Sequence, residues 1–167
     1  LEARDCDGPG TATYNSVSLT YNGVDGGQDD DCVELPDPDI TVDKVAADGQ
    51  PVHVAGNVYT AEYTVTVDTV GDGPGAYDLV DTPEFGVGAT VTNVAVTGNG
   101  VSIDQDGDGP VTIVTGEPID PDDAPHVYTV TVTFEVAGSM TTEARACATG
   151  AERAGFGAYN EAQVTFN

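Results

Sequence analysis

Val58-Tyr59-Thr60-Ala61-Glu62-Tyr63-Thr64-Val65-Thr66-Val67 is the stretch that decides the fold class. Tyr59, Ala61, Tyr63, Val65 and Val67 fall on one face, with threonine and glutamate between most of them. A period of two is that of a half-buried strand. Residues 127–136 (VYTVTVTFEV) repeat the pattern, with Tyr128, Val130, Val132, Phe134 and Val136 as the inward set. Residues 40–45, 89–97 and 111–115 add further strands. Glycine-rich turns such as 71–75 (GDGPG) and Gly98-Asn99-Gly100 separate them,. No run carries helical period. Seven or more short strands at this spacing predict an all-β chain folded as a two-sheet antiparallel sandwich.

Composition narrows the function. The chain has 167 residues, 39% of them hydrophobic, which suits a globular domain with a core,. It carries 29 acidic residues against 4 basic ones, a net charge of −25. Phosphate binding needs clustered lysine and arginine, so nucleic acid is excluded as a partner, and an anionic membrane surface with it. Such a surface stays soluble, repels copies of itself and attracts cations. No stretch is long and apolar enough to span a membrane, so no membrane insertion is expected in this segment,. Leu1 begins inside patterned sequence, and an export signal or anchor is expected outside it.

The two ends of the chain resemble each other. Glu2-Ala3-Arg4-Asp5-Cys6 matches Glu143-Ala144-Arg145-Ala146-Cys147. After a Gly-rich turn, Tyr14-Asn15-Ser16-Val17-Ser18-Leu19-Thr20-Tyr21-Asn22 matches Tyr159-Asn160-Glu161-Ala162-Gln163-Val164-Thr165-Phe166-Asn167. Two such pieces cannot fill one slot in one domain. Residues 1–34 are therefore expected to be the C-terminal strands of a preceding repeat, and 35–167 one nearly complete repeat. Alternate prolines in Glu34-Leu35-Pro36-Asp37-Pro38-Asp39 mark the junction as a stiff linker,. The alternative is that the N-terminal strand is donated to a neighbouring subunit of a filament. Either way the expected partners are neighbouring copies, end to end, in a tandem or filamentous array.

The ordered pieces Val42-Asp43-Lys44-Val45, the strand at 58–67, Leu79-Val80-Asp81-Thr82-Pro83 and Tyr159-Asn160-Glu161-Ala162-Gln163-Val164-Thr165 resemble bacterial surface domains of the DUF11 or prealbumin-like class. The resemblance covers residues 36–167. It departs at Thr82, where that class has leucine before the proline. It implies an Ig-like or prealbumin-like sandwich in an extracellular or cell-surface protein. Related domains join a lysine on the first strand to an asparagine on the last. By that resemblance the isopeptide candidates are Lys44, the only lysine in the chain, and Asn160, with Asn15 in the matching place of the earlier copy. Asp81 is the candidate acid, with Glu62 and Glu135 as alternatives.

The chemistry has its own logic. A lysine is nucleophilic only when neutral, and burial lowers its pKa. An asparagine is electrophilic only when its carbonyl is polarised, which a buried protonated carboxyl can do. The plain alternative is that Lys44 is a surface charge in a salt bridge worth at most about 1 kcal/mol.

Cys6, Cys32 and Cys147 make an odd count,. The repeat makes Cys6 and Cys147 equivalent, so a Cys6–Cys32 disulfide is expected, worth about 3 kcal/mol in the chain-entropy model. Asp104-Gln105-Asp106-Gly107-Asp108-Gly109 has the acid spacing of a calcium loop, but Thr115 stands where the closing glutamate would be,. Asp104, Asp106 and Asp108 are thus either a partial calcium site or an acidic hairpin tip. His53 and His126 each flank a strand start and are expected to face solvent, and no C-x-x-C is present for zinc,. No nucleophile motif, zinc-protease motif or phosphate loop occurs, so no enzyme acting on an external substrate is expected,. Two classes remain: a structural repeat of a filament, stalk or giant surface protein held by covalent crosslinks, or a ligand-binding adhesin module recognising a sugar or protein. The aromatics fall mostly in strand phase, leaving only Phe85 and Phe156 in Gly-rich loops, which favours the structural class.

Overall fold

The computed structural model describes residues 13–147 and 157–166. Its elements in chain order are β1 (Thr13–Tyr21), β2 (Val24–Val33), β3 (Ile40–Ala46), β4 (Val52–Ala55), β5 (Val58–Thr69), β6 (Gly75–Pro83), β7 (Ala89–Gly98), β8 (Val101–Asp106), β9 (Val111–Ile119), β10 (His126–Val136), the single-turn α1 (Thr142–Arg145) and β11 (Asn160–Phe166). The chain is all-β, and its sheets are antiparallel. A six-stranded sheet runs β3-β5-β10-β7-β8, with β4 sharing the β3 edge of β5. A three-stranded sheet runs β11-β6-β9. Among the described residues β1 and β2 pair only with each other.

The two larger sheets bury their apolar faces in one core. β5 contributes Ala61, Tyr63, Val65 and Val67, and β10 contributes Tyr128, Val130, Val132 and Phe134. Register sets Tyr128 opposite Val65, Val130 opposite Tyr63 and Phe134 opposite Tyr59, so the large side chains meet as cross-strand pairs,. From the other sheet come Tyr77 and Leu79 of β6, and Val111, Ile113 and Ile119 of β9. The inward sets of β5 and β10 are those the alternation predicts.

β7 is less regular. Val91, Val94 and Val96 are all buried, although Val91 and Val94 are out of phase for a flat strand. A bulge resolves this: Phe134 pairs with Val91 and Thr133 with Asn93, leaving Thr92 without an opposite number,. Asn99 and Gly100 both have positive φ, 45° and 78°, as a two-residue turn between twisted strands requires,.

Residues 107–110 link β8 of the larger sheet to β9 of the smaller one, so the acidic 104–109 run sits at a sheet-to-sheet crossover and not at a hairpin tip. The 34–39 segment, expected as a stiff linker, is pinned to the β5–β6 turn. Asp39 O accepts from Val70 N at 2.8 Å, and Asp37 O accepts from Gly73 N at 3.2 Å. Pro38 is buried. This close packing explains the glycines in the β5–β6 turn: a Cβ on Gly71 would lie 2.3 Å from Asp37 O, and one on Gly73 would lie 2.6 Å from Pro36 O. Backbone has to move to admit either. Gly71→Ala is expected to destabilise by about 1–3 kcal/mol; a urea midpoint unchanged from wild type would refute this packing.

Candidate functional site

Three strands carry an inward ladder that ends in a polar residue. On β3 it runs Ile40, Val42, Lys44; on β6, Tyr77, Leu79, Asp81; on β11, Val164, Ala162, Asn160. The phase is dictated by pairing. Lys44 lies opposite Val65, which is fully buried, so it too faces the core. Asn160 lies opposite Pro83, and Ala162 lies opposite Asp81, which puts Asn160 and Asp81 on the same face as diagonal neighbours,. Val45, next to Lys44, points the other way and is exposed.

The ladders converge. Lys44 Nζ donates a hydrogen bond to Asp81 Oδ1 and forms an ion pair with it. Asp81 is completely buried and Asn160 nearly so. Glu62 and Glu135 face outward and take no part; Glu135 accepts from Asn57 instead. Among the three acids considered, Asp81 alone meets Lys44.

The electrostatics favour neutral partners. Burial pushes the Lys44 amine below the usual lysine value, opposed by the charge and hydrogen bond of Asp81 and by Glu161. Burial likewise raises the Asp81 carboxyl, opposed by Lys44 and Asn160. Desolvation leads in both cases. Asn160 is near enough to Asp81 to favour its carboxylate. Even so, Asp81 Oδ2 and both polar atoms of the Asn160 side chain make no hydrogen bond of normal geometry. Buried polar groups rarely stay unpaired without a reason.

Tyr63 is the member of the site that sequence reading assigned only to the core. The Lys44 ammonium sits over its ring, 5.1 Å from the centroid,. Its hydroxyl donates to the carbonyl of Ala158, two residues before Asn160. It therefore walls the lysine and anchors the lead into β11. Burial, with the Asp81 charge behind it, raises the Tyr63 pKa and keeps it a donor. Its only sequence signal is that a tyrosine in a dry face needs a partner for its hydroxyl.

The remaining candidates are not assembled with this group. Asp104 and Asp106 are exposed on β8 two residues apart, and Asp104 accepts from Asn93 Nδ2 at 2.5 Å. Among the described residues no three His, Cys, Asp or Glu side chains converge on a common point, so Asp104, Asp106 and Asp108 form no cage there. Strand geometry is the reason: side chains two residues apart on a strand are separated by about 7 Å. Cys6 and Phe156 lie outside the described residues, and the expected Cys6–Cys32 bridge does so with Cys6. Cys147 is a free, exposed thiol. Asn15 is exposed on β1.

One sequence expectation changes and one is extended. Phe85 lies in the loop between β6 and β7, as expected, but its ring packs on the core, meeting Phe134 edge-on with centroids 4.8 Å apart. His126 is half-buried rather than solvent-facing, and its Nδ1 lies 2.8 Å from the Tyr77 hydroxyl. Tyr77 in turn meets the Tyr128 hydroxyl at 2.7 Å, and Asn99 donates to Tyr128 at 3.2 Å. Tyr77 begins the β6 ladder that Asp81 continues, so the core has a second polar cluster toward the other end of that strand.

No family model matches the chain, and no curated protein matches its sequence.

The Lys44–Asp81 pair makes a direct prediction. In an Asn160→Ala background, removing one partner as Asp81→Ala leaves a buried amine uncompensated and costs roughly 3–5 kcal/mol. Replacing both, as Lys44→Met with Asp81→Leu, restores most of that loss. Chemical denaturation of the three chains decides it; equal stability of the single and double replacements would mean that the pair is solvated.

Proposed function

We propose that residues 35–167 are one Ig-like or prealbumin-like sandwich repeat of an extracellular filament, stalk or large surface protein, locked by an amide between Lys44 and Asn160. The observation that supports this reading best is the meeting of a buried lysine, a buried carboxyl and an unpartnered buried asparagine on the inner faces of three strands. The resemblance to DUF11 or prealbumin-like surface domains points the same way. The strong acidic excess suits a secreted chain that must not bind its own copies indiscriminately,.

The reaction balances without a cofactor. Neutral Lys44 Nζ attacks Asn160 Cγ while protonated Asp81 donates a hydrogen bond to the amide oxygen. The Nζ–Cγ bond forms, the Cγ–Nδ2 bond breaks, and Asp81 relays the lysine proton to the leaving nitrogen. One ammonia departs. Burial biases both groups toward those neutral forms, lowering the Lys44 pKa and raising that of Asp81. This is a single turnover on the chain itself and not enzymatic action on an external substrate.

The mechanical sense follows from position. β3 opens the 35–167 unit and β11 is its last described strand, and they lie in different sheets. A bond between them carries tension from one to the other without loading the core in between. The Cys6–Cys32 disulfide belongs to the same reading, which leaves Cys147 as the one thiol titrated per denatured chain.

Intact mass after denaturation tests the bond. With the disulfide reduced, wild type is expected to be lighter than its sequence by one ammonia, and Lys44→Ala, Asp81→Asn and Asn160→Ala to keep full mass. Full mass in the wild type would sink the reading. Loss of the bond is expected to cost about 4–5 kcal/mol, the loop-closure entropy of about 100 residues. The rate of bond formation during refolding should be bell-shaped in pH. The competent pair holds one proton: below the acidic limb it gains a second and Lys44 is locked as ammonium, and above the basic limb the last proton leaves Asp81. A rate that rises monotonically with pH would remove Asp81 as the acid.

A further inference from the structure

One face of the β1–β2 hairpin carries five exposed apolar side chains, with Asp29 and Asp31 of β2 beside Val17 and Asn15, and among the described residues no strand covers it. Val17, Leu19 and Tyr21 alternate along β1 and are 65%, 61% and 72% exposed. Val24 pairs with Tyr21, and Val33 with Thr13, so both join that face, at 67% and 68% exposed. Ser16, Ser18 and Thr20 occupy the other face, where Tyr14 donates to Asp30 at 2.5 Å. A lone two-stranded hairpin is marginal in water, and one with five large apolar side chains on one side needs a cover.

The chain itself shows what covers such a strand. β11 has the same sequence pattern: Asn160, Ala162, Val164 and Phe166 stand where β1 has Asn15, Val17, Leu19 and Tyr21. In β11 that set turns inward along β6, with Ala162 and Val164 packed on the core and Asn160 beside Asp81. In β1 the same set is exposed, and among the described residues the strand has a partner, β2, on one edge only.

We propose that β1 is the closing strand of a second copy of this domain, taking the place of that copy's β11 along β6, whose other edge is held by β9. There Val17, Leu19 and Tyr21 are covered by its inner face, and Asn15 lies against its Lys44 and Asp81. Contact of this kind is head-to-tail and does not close on itself, so it propagates into a fibre. The covalent part rests on the crosslink reading above: the copy's Lys44 Nζ bonds to Asn15 Cγ, and Asn15 Nδ2 leaves as ammonia. The seating itself rests only on the matched faces.

The test uses the full chain carrying Cys147→Ser, so that a thiol dimer cannot mimic the result. Asn160→Ala in this chain removes the internal acceptor, with Asn160→Ser as the second variant should the first fail to fold. Refolded at rising concentration, it is expected to form a ladder of covalent multimers, each bond costing one ammonia. Adding Asn15→Ala or Lys44→Ala abolishes the ladder. Amide exchange in residues 13–21 reads the seating apart from the chemistry: it should slow with concentration, and Leu19→Asp should restore fast exchange. Fast exchange at every concentration together with an absent ladder overturns the proposal. The wild-type mass reports separately on the internal bond, so the two readings can fail independently.

Discussion

A strand sends only every second residue inward, and that constraint places everything of interest in this molecule. Once Tyr77 and Leu79 are committed to the core, Asp81 has to follow them, whatever its charge,. Once Ile40 and Val42 are committed, Lys44 has to follow. The apolar ladders hold two ionisable groups in a dry space, where neither would remain by its own preference. The pairing of Lys44 with Asp81 is the response to that constraint. That pairing leaves Asp81 Oδ2 and both polar atoms of the Asn160 side chain unpartnered, and the proposed crosslink draws on this imbalance.

The same core is polar at two places for different reasons. The Tyr77, Tyr128, His126 and Asn99 cluster is a connected set of hydrogen bonds and can simply be a stable way to bury hydroxyls,. The Lys44, Asp81 and Asn160 cluster leaves donors and acceptors unmet. A satisfied network rigidifies; an unsatisfied one stores free energy that bond formation can release. Tyr63 belongs to the second cluster because it borders the lysine and also ties down the backbone that delivers Asn160.

The hairpin at residues 13–33 obeys the same alternation without the benefit of a core. Its apolar face is as well sorted as that of β11, yet it is bare. On the proposal made above, fold and assembly are two uses of one pattern: a closing strand within the domain, and a closing strand offered to another copy.

Much of this was legible in the chain. Strict alternation at 58–67 and 127–136 is local, and local pattern suffices to declare strands and their inner faces. The likeness of the two ends is likewise a property of sequence alone, and so is the loneliness of Lys44. What the sequence could not decide was contact between distant strands. Asp81 was the candidate acid with Glu62 and Glu135 as alternatives, and only register turned those two outward. The bulge at Thr92, the pinning of Asp37 and Asp39 on the β5–β6 turn and the partnership of Tyr63 with Ala158 all join residues far apart in the chain. The acidic run at 104–109 read as either a partial calcium site or a hairpin tip, and only the placement of β8 and β9 in different sheets set it at a crossover. Periodicity tells which way a side chain points; it carries no information about what stands opposite, because that is fixed by pairing and packing over the whole domain.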